Sequence, residues 1–406
     1  MRGILLSLAL LAACRGAPSQ TVDGAGASDA LDAAGGPRLV LRFDHTFGRE
    51  GELPTHLLPA GPDRLLALTD RAIYRLDHDG RELSRQALPV ASSGSVATLT
   101  SAAWDGSGLG AAVRWGHDAV TPAGSYLALT DQQGDFAPSA MLALGSAGAA
   151  VRVSWDAASQ RHRVLVAQTA GNQLVLSQWR VPRVGQVSSE TLLTGLDPST
   201  TVGDWLGASD RPALCSVRDR RVRLHVFPDG GTAKAADLTD PQRQAVGSCR
   251  LASSGRSHLV TWVQKALPPG ELDAGSTARP DLGPISLSYD VPLVQLVDPD
   301  GQALPRSIRL TLYEGPAVSH GALWDGQRYL VLVQTAFRGG RLQLAALDEA
   351  GGLLLRELEL PLVYEPGTLL EARLAVGAAG DYLVLYAIRR PDDEGVLHLA
   401  GFALVP

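Results

Sequence analysis

The amino-acid sequence predicts an all-β protein built from a repeating unit of four strands. Tight turns that end in glycine recur along most of the chain, and most of the intervals between them are close to 50 residues. The segments between these turns alternate apolar and polar residues with a period of two, which is typical of strands. No stretch of comparable length combines a 3.6-residue apolar period with helix caps. Together these observations favour strands over helices throughout the body of the chain.

The repeating unit is clearest near the C-terminus, between residues 318 and 360. Alternating or continuous apolar runs are separated there by the turns Asp325-Gly326 and Asp348 to Gly351. Turns of this kind join neighbouring antiparallel strands as hairpins. The unit is therefore predicted to contain four strands, at 318–324, 328–334, 341–347 and 353–360.

Seven units of this kind account for the chain after residue 53. They lie at 53–90, 98–145, 149–195, 201–239, 245–312, 317–361 and 369–405. The last unit has only three strands, and an alternating strand at 38–47 precedes the first unit. Pairing this N-terminal strand with the last unit would close a ring and remove its free edges. The predicted fold is a seven-bladed β-propeller closed in this way, although turn intervals as uneven as 45 and 71 residues leave six or eight blades open.

The N-terminus has the layout of an export signal. After Met1-Arg2, residues 3–13 form an apolar run that is too short to span a bilayer, which requires about 20 residues. Its end, Leu11-Ala12-Ala13-Cys14, resembles the bacterial lipoprotein box. The resemblance implies cleavage before Cys14 and acylation of that cysteine, which would act as a membrane anchor. The alternative is an ordinary cleaved signal in which Cys14 has no role.

Residues 15–37 are small and polar, and they are predicted to form a flexible tether. The domain organisation is therefore a signal at 1–14, a tether at 15–37 and a propeller at 38–406. Position 15 is Arg rather than Asp. By the lipoprotein resemblance, this implies the outer membrane of a Gram-negative bacterium and a location in the cell envelope.

Trp-Asp pairs recur within the repeats, at Trp104-Asp105, Trp155-Asp156 and Trp324-Asp325. They differ from the dipeptide of WD40 proteins, because they precede a glycine turn between the first two strands and no Gly-His element accompanies them. We predict that the tryptophans pack and that Asp105 and Asp325 form turns. The sequence Trp-Asp-Gly-x-x-Tyr-Leu-Val, which begins at Trp324, resembles repeats in predicted surface lipoproteins of myxobacteria and their relatives. That resemblance implies a fold and a location but no reaction.

Two cysteines remain besides Cys14. Cys215 falls in the second predicted strand of the fourth blade, and Cys249 falls in the first strand of the fifth. An exported compartment favours oxidation, so the pair is a candidate disulfide. Two buried free thiols are the alternative, since free cysteine is among the most buried residue types.

Motifs that carry chemistry are missing from the sequence. It contains no Gly-x-Ser-x-Gly, His-Glu-x-x-His or Cys-x-x-Cys, and its nine histidines occur singly. The segments 77–80 and 298–301 resemble the opening of a calcium loop, but they lack its further ligands, so they are predicted to be turns. We predict no cofactor and no metal site.

The loops between second and third strands, together with the connections between blades, are the expected binding face. We call this the loop face. An insertion at 266–287 with four prolines is also expected to belong to it. Arginine and aromatic side chains suit a carboxylate, a sugar or a protein loop, whereas solvated loop charge is the alternative interpretation. The candidate binding residues are Trp115, His117, Arg218, Phe337, Arg338 and Arg389.

The sequence thus favours a membrane-anchored, non-enzymatic binding or protein-interaction scaffold of the cell envelope. A monomer is expected, with an envelope protein or a glycan as partner. Nucleic acid is excluded as a partner because the net charge is −6. One alternative is an exported glycan hydrolase or lyase with an acid and a base in the central funnel. Another is a structural envelope protein without a ligand pocket.

Overall fold

The computed structural model of the protein describes most of the chain from residue 38 to residue 405. The described ranges are 38–49, 51–61, 63–88, 97–116, 123–131, 141–207, 211–228, 232–239, 245–265, 290–310, 317–335, 341–360, 362, 368–377, 380–389 and 395–405. The predicted signal and tether at 1–37, with Cys14, and the insertion at 266–287 lie outside the described residues. Residues 38–405 form one unit.

Twenty-eight strands form seven antiparallel sheets of four strands, and each sheet is one blade. Strand β1 spans Arg38–Phe47. Blade 1 contains β2 (Pro54–Pro59), β3 (Arg64–Thr69), β4 (Ala72–Asp77) and β5 (Glu82–Ala87). Blade 2 contains β6 (Thr98–Trp104), β7 (Leu109–Trp115), β8 (Gly124–Leu129) and β9 (Leu142–Gly145). Blade 3 contains β10 (Ala150–Asp156), β11 (Arg161–Ala170), β12 (Gln173–Pro182) and β13 (Ser188–Leu196).

The remaining blades follow the same order. Blade 4 contains β14 (Thr201–Leu206), β15 (Ala213–Arg218), β16 (Arg221–Val226) and β17 (Lys234–Asp237). Blade 5 contains β18 (Ala245–Ser253), β19 (His258–Lys265), β20 (Asp290–Val297) and β21 (Ala303–Arg309). Blade 6 contains β22 (Ala317–Trp324), β23 (Tyr329–Thr335), β24 (Leu342–Leu347) and β25 (Leu353–Glu359). Blade 7 contains β26 (Thr368–Val376), β27 (Tyr382–Arg389) and β28 (Gly395–Val405), with β1 as its fourth strand.

The blades form a closed ring around a central channel. The first strand of each blade contacts the first strands of both neighbours, so that β2 lies beside β26 on one side and β6 on the other. The same relation holds for every blade. The structure therefore confirms the all-β, seven-bladed β-propeller, and the alternatives of six and eight blades are dropped.

Strand β1 closes the ring by pairing with β28. Arg38 lies opposite Val405, and Phe47 lies opposite Leu397. The side chain of Asp44 in β1 stabilises this pairing, because its Oδ2 accepts a hydrogen bond of 2.8 Å from the hydroxyl of Tyr386 in β27. Its Oδ1 lies 3.4 Å from Nδ1 of His398 in β28. The predicted closure by the N-terminal strand is confirmed.

The hydrophobic core is divided among the interfaces between neighbouring blades. Between blades 7 and 1, for example, Tyr74 and Leu76 pack against Leu385 and Leu399. A sheet that is covered on both faces needs apolar residues at every position, which explains the continuous run at 329–333 in β23, where no residue is more than 1% exposed. Each such aliphatic side chain contributes roughly 1.5–3 kcal/mol when it is buried.

The Trp-Asp segments act as predicted, with one addition. Trp104 and Trp324 pack on the interblade cores, and Asp105 Oδ1 accepts hydrogen bonds from the backbone N–H groups that close its turn. The second carboxylate oxygen reaches the next blade: Asp105 Oδ2 lies 3.0 Å from His162 Nε2. In the same way Asp325 Oδ2 accepts a hydrogen bond from the Tyr382 hydroxyl. These aspartates therefore join neighbouring blades as well as forming turns.

The segments that resemble calcium loops are hairpin turns. The side chain of Asp77 accepts hydrogen bonds from the backbone N–H groups of Asp79 and Arg81, and Asp298 does the same in blade 5. The aspartate oxygens are thus used by the turn itself, as predicted.

Within the described ranges, no helix is long and apolar enough to cross a membrane.

Candidate functional site

Charged side chains from the first strands of four blades meet in the central channel. Arg152 comes from β10 in blade 3, Asp204 from β14 in blade 4 and Arg250 from β18 in blade 5. Glu371 and Arg373 come from β26 in blade 7. Arg250 Nη2 lies 3.8 Å from Glu371 Oε1, although blades 5 and 7 are not neighbours. This contact therefore crosses the channel, and we call these five residues the channel cluster.

Both carboxylates of the cluster face guanidinium groups. Asp204 Oδ1 lies 3.4 Å from Arg250 Nη1, and Glu371 pairs with Arg373. Arg373 also donates a hydrogen bond of 2.7 Å from Nε to the backbone carbonyl of Thr55 in blade 1. The side chains of these two ion pairs are between 20% and 32% exposed, so water reaches them only in part.

Arg152 differs from the other two arginines because, within the described residues, it donates hydrogen bonds only to backbone carbonyls. Its Nε donates to the carbonyl of Gly203 at 3.0 Å, and its Nη2 donates to that of Val202 at 3.3 Å. Burial lowers the pKa of Arg152, and the positive charges of Arg250 and Arg373 lower it further, while Asp204 opposes them. Within the described part of the chain, Arg152 forms no ion pair with a carboxylate.

His56 in β2 lies close to the same charges. Burial is the main cause that lowers the pKa of His56 to about 3, and the positive charges of Arg373, Arg152 and Arg250 add to it. The imidazole is therefore neutral near pH 7. Its Nδ1 is buried and has no hydrogen-bond partner among the residues that the structure describes.

The channel can recognise charge better than it can move protons. Among the described side chains it holds three guanidinium groups, two carboxylates and a neutral imidazole, a balance of one positive charge. An arginine keeps its proton at all ordinary pH values, and a histidine with a pKa near 3 is a poor base at neutral pH. No group of three or more His, Cys, Asp or Glu side chains suited to a metal ion is found in the described ranges.

The six candidate residues of the loop face have different environments in the structure. Trp115 is 3% exposed and belongs to the core of blades 1 and 2, so its ring packs there instead of reaching the surface as expected. Arg218 is exposed at the end of β15, where it pairs with Asp197 at 3.1 Å and Asp219 at 3.2 Å. Arg389 is exposed at the end of β27. The other three, His117, Phe337 and Arg338, lie outside the described residues.

A cleft of about 400 Å³ lies beside Arg218 on the loop face. It is formed by blades 4 and 5, and Thr201, Asp219, Arg220 and Lys265 are among the residues that line it. Lys265 is the last residue before the insertion. The loop face therefore has a concave, charged surface at the place where the chain departs from its repeat.

A second cleft, of about 590 Å³, lies on the opposite face between blades 7 and 1. It is lined by turns between first and second strands and between third and fourth strands. Among its side chains are the basic residues Arg42, His45, Arg64, His78 and Arg81. This cleft could not be found from the local sequence of these turns, because it forms only where turns of two blades meet.

Cys215 and Cys249 are joined as a disulfide between blades 4 and 5, with Cα atoms 6.1 Å apart. Both residues are fully buried. Gly203 of β14 packs directly against the bond: a Cβ atom at this position would lie 2.6 Å from each sulfur atom. The disulfide therefore supports the same backbone segment whose carbonyl groups hold Arg152.

Sequence reasoning missed the channel cluster, but a signal for it exists. Arg152, Arg250 and Arg373 each stand between apolar residues in the first strand of a blade, as in Val151-Arg152-Val153. An arginine inside an apolar strand is costly unless it has partners. Aligning the repeats strand by strand would have placed these arginines at similar positions around one axis.

Comparisons with known proteins show the fold. No protein-family model matches the chain, and no curated protein matches its sequence. The chain is similar to the WD40 domain of Pan2 from Neurospora crassa, at 11% identity and a TM-score of 0.51, with 86% of this chain and 89% of that chain covered. It is also similar to a chain in the crystal structure of a mitotic checkpoint complex, at 12% identity and a TM-score of 0.51, with 90% and 96% covered.

A post-proline cleaving enzyme from Rickettsia typhi is more distant, at 9% identity and a TM-score of 0.44, with 89% of this chain covered. The protein spans about half of that enzyme's chain, 51%. A similarity at this level carries no argument about activity. What the comparisons establish is that the chain has the fold of a β-propeller.

Proposed function

We propose that the protein is a lipid-anchored β-propeller of the cell envelope that acts as a non-enzymatic binding or protein-interaction scaffold. The observation that carries the proposal is the cleft beside Arg218 on the loop face of a closed ring. A closed ring that presents a concave, charged surface next to an insertion is well suited to bind a partner.

The anchoring part of the proposal rests on Cys14 and the apolar run before it. Acyl chains on Cys14 would insert into the outer membrane, and residues 15–37 would separate the propeller from the lipid surface. Replacing Cys14 with Ser should prevent acylation, so the variant should appear in the soluble envelope fraction instead of the membrane fraction. Incorporation of labelled palmitate into the wild-type chain, but not into Cys14→Ser, is the direct test. Equal fractionation of the two proteins would contradict the anchor.

The binding part is supported by the chemistry of the channel cluster. The exported-enzyme alternative requires an acid and a base that exchange protons near neutral pH. The pKa of His56, at about 3, is far below that range. The buried pair Ser216 and His225, 3.1 Å apart, has the same limitation, since burial lowers the pKa of His225 to about 4.

The interaction can be tested by placing a photo-crosslinking amino acid on each face of the ring. Asp219 samples the cleft beside Arg218, and Arg64 samples the opposite face. In intact cells, a discrete adduct is expected from position 219 and none from position 64. Adding Arg218→Glu should remove the adduct, because the partner would meet a reversed charge. An adduct from position 64 alone would contradict the assignment of the binding face.

A further inference from the structure

The channel cluster contains one more positive charge than negative charge. Asp204 and Glu371 offset two of the three guanidinium groups, and the remaining charge is centred on Arg152. Arg152 is held by the carbonyls of Val202 and Gly203, which orient the group but do not neutralise it. The imidazole of His56 adds no charge.

A positive charge without a counter-charge is costly in a channel whose charged side chains are only partly exposed. Moving a charge out of water is unfavourable unless an opposite charge accompanies it. The repulsion among the three guanidinium groups adds to this cost. One bound anion with a single negative charge would remove both costs at once, whereas a dianion would leave an excess of negative charge.

The chemistry of the donors favours a carboxylate. Guanidinium N–H groups form charge-assisted hydrogen bonds with carboxylate oxygens. Arg373 Nε and Nη1 donate hydrogen bonds to Thr55, Ala372 and Glu371, while its Nη2 has no hydrogen-bond partner among the described residues. We propose that the central channel binds one monoanionic carboxylate between Arg152, Arg250 and Arg373. This site depends neither on the lipid anchor nor on the loop face.

The carboxylate has two possible sources with the same chemistry. It is either a free small carboxylic acid of the envelope or the C-terminal carboxylate of an extended chain that enters the channel. Formate is a suitable probe for the first source. A tripeptide of glycine, acetylated at its N-terminus and with a free C-terminal carboxylate, is a suitable probe for the second, and its amidated form is the control.

Binding to the full-length chain can be followed through the line width of isotope-labelled formate in a buffer low in other anions. Saturable broadening with one site per chain is expected. If the free-acid peptide displaces formate and the amidated peptide does not, a chain end is accepted as well. If neither peptide displaces formate, the site is restricted to free small carboxylates.

Variants with opposite expected effects separate binding from misfolding. Arg152→Gln should weaken formate binding about tenfold, because it removes the uncompensated charge. Glu371→Gln should strengthen binding by a similar factor, because it removes a competing carboxylate and raises the balance to two positive charges. Arg42→Gln is the control, since Arg42 is exposed on β1 and belongs to no part of the cluster.

The proposal would be overturned by any of three results. The first is an absence of saturable formate binding to the wild-type chain. The second is equal displacement of formate by bromide and by acetate, since that would indicate a site for any small anion. The third is an unchanged affinity in both Arg152→Gln and Glu371→Gln when thermal unfolding shows that both variants are folded.

Discussion

Reducing the disulfide between Cys215 and Cys249 should destabilise the propeller by a predictable amount. The two residues are 34 positions apart in the chain. The loop-closure relation for a cross-link of this length gives roughly 3.8 kcal/mol at 25 °C, because the reduced chain gains freedom when it unfolds. With an unfolding entropy of about 2.1 cal/mol/K per residue over roughly 370 residues, this corresponds to a lowering of the melting temperature by about 5 °C.

The assay is calorimetric unfolding of oxidised and reduced protein under identical conditions. Alkylation of the denatured chain before reduction should leave both cysteines unmodified, which verifies that the bond was present. The double variant Cys215→Ser/Cys249→Ser is the matched control without reductant, and it should melt at or below the temperature of the reduced protein. Equal melting temperatures for oxidised and reduced protein, with the bond verified, would refute the reasoning.

Three further outcomes are expected. Burial lowers the pKa of His225 and of His258 to about 4 from the ordinary 6.5. The unfolded state therefore binds more protons below pH 6.5, and the free energy of unfolding should fall between pH 7 and 5 by on the order of 2 kcal/mol for each histidine. Urea unfolding should show a smaller fall in His225→Gln. Asp44→Ala should cost roughly 1–3 kcal/mol and increase hydrogen exchange in β1 and β28, because it removes the hydrogen bond that the Tyr386 hydroxyl donates to Asp44. Val40→Ala on the same strand should not have this effect, and equal exchange in both variants would contradict the role of Asp44. Gly203→Ala should lower the melting temperature, because its Cβ would meet the sulfur atoms of Cys215 and Cys249. Gly321→Ala in β22, where the space is open, should have little effect. Equal melting temperatures for the two variants would contradict the close packing at Gly203.

The repeat structure was predictable because each blade is a local object. Hairpin turns such as Asp77 to Gly80 and Asp348 to Gly351 act over a few residues, so their signals can be read directly from the chain. The closing strand at 38–47 was predictable for a similar reason: an alternating strand without a local partner has to pair elsewhere. The structure confirms both inferences.

Contacts across the axis of the ring were much harder to predict. The contact between Arg250 and Glu371 joins blades 5 and 7, which are separated by blade 6. The local sequence around either residue does not indicate that the other is its partner. The contact of Asp105 with His162 was missed for the same reason, since only the turn that Asp105 forms with its neighbours in sequence is a local feature. The prediction that Trp115 is a surface residue was wrong for a different reason. Trp115 is the last residue of β7, and it was treated as part of the loop that follows the strand.

The pairing of β1 with β28 has a consequence for how the protein folds. Among the described strands of the ring, the first to be synthesised hydrogen-bonds to the last, so blade 7 cannot be completed until the other six blades have been synthesised. Contacts between residues so distant in sequence slow folding, and until they form, two sheet edges remain available to other chains. Final assembly of the ring is thus expected to be the step at which newly made molecules are most prone to aggregate.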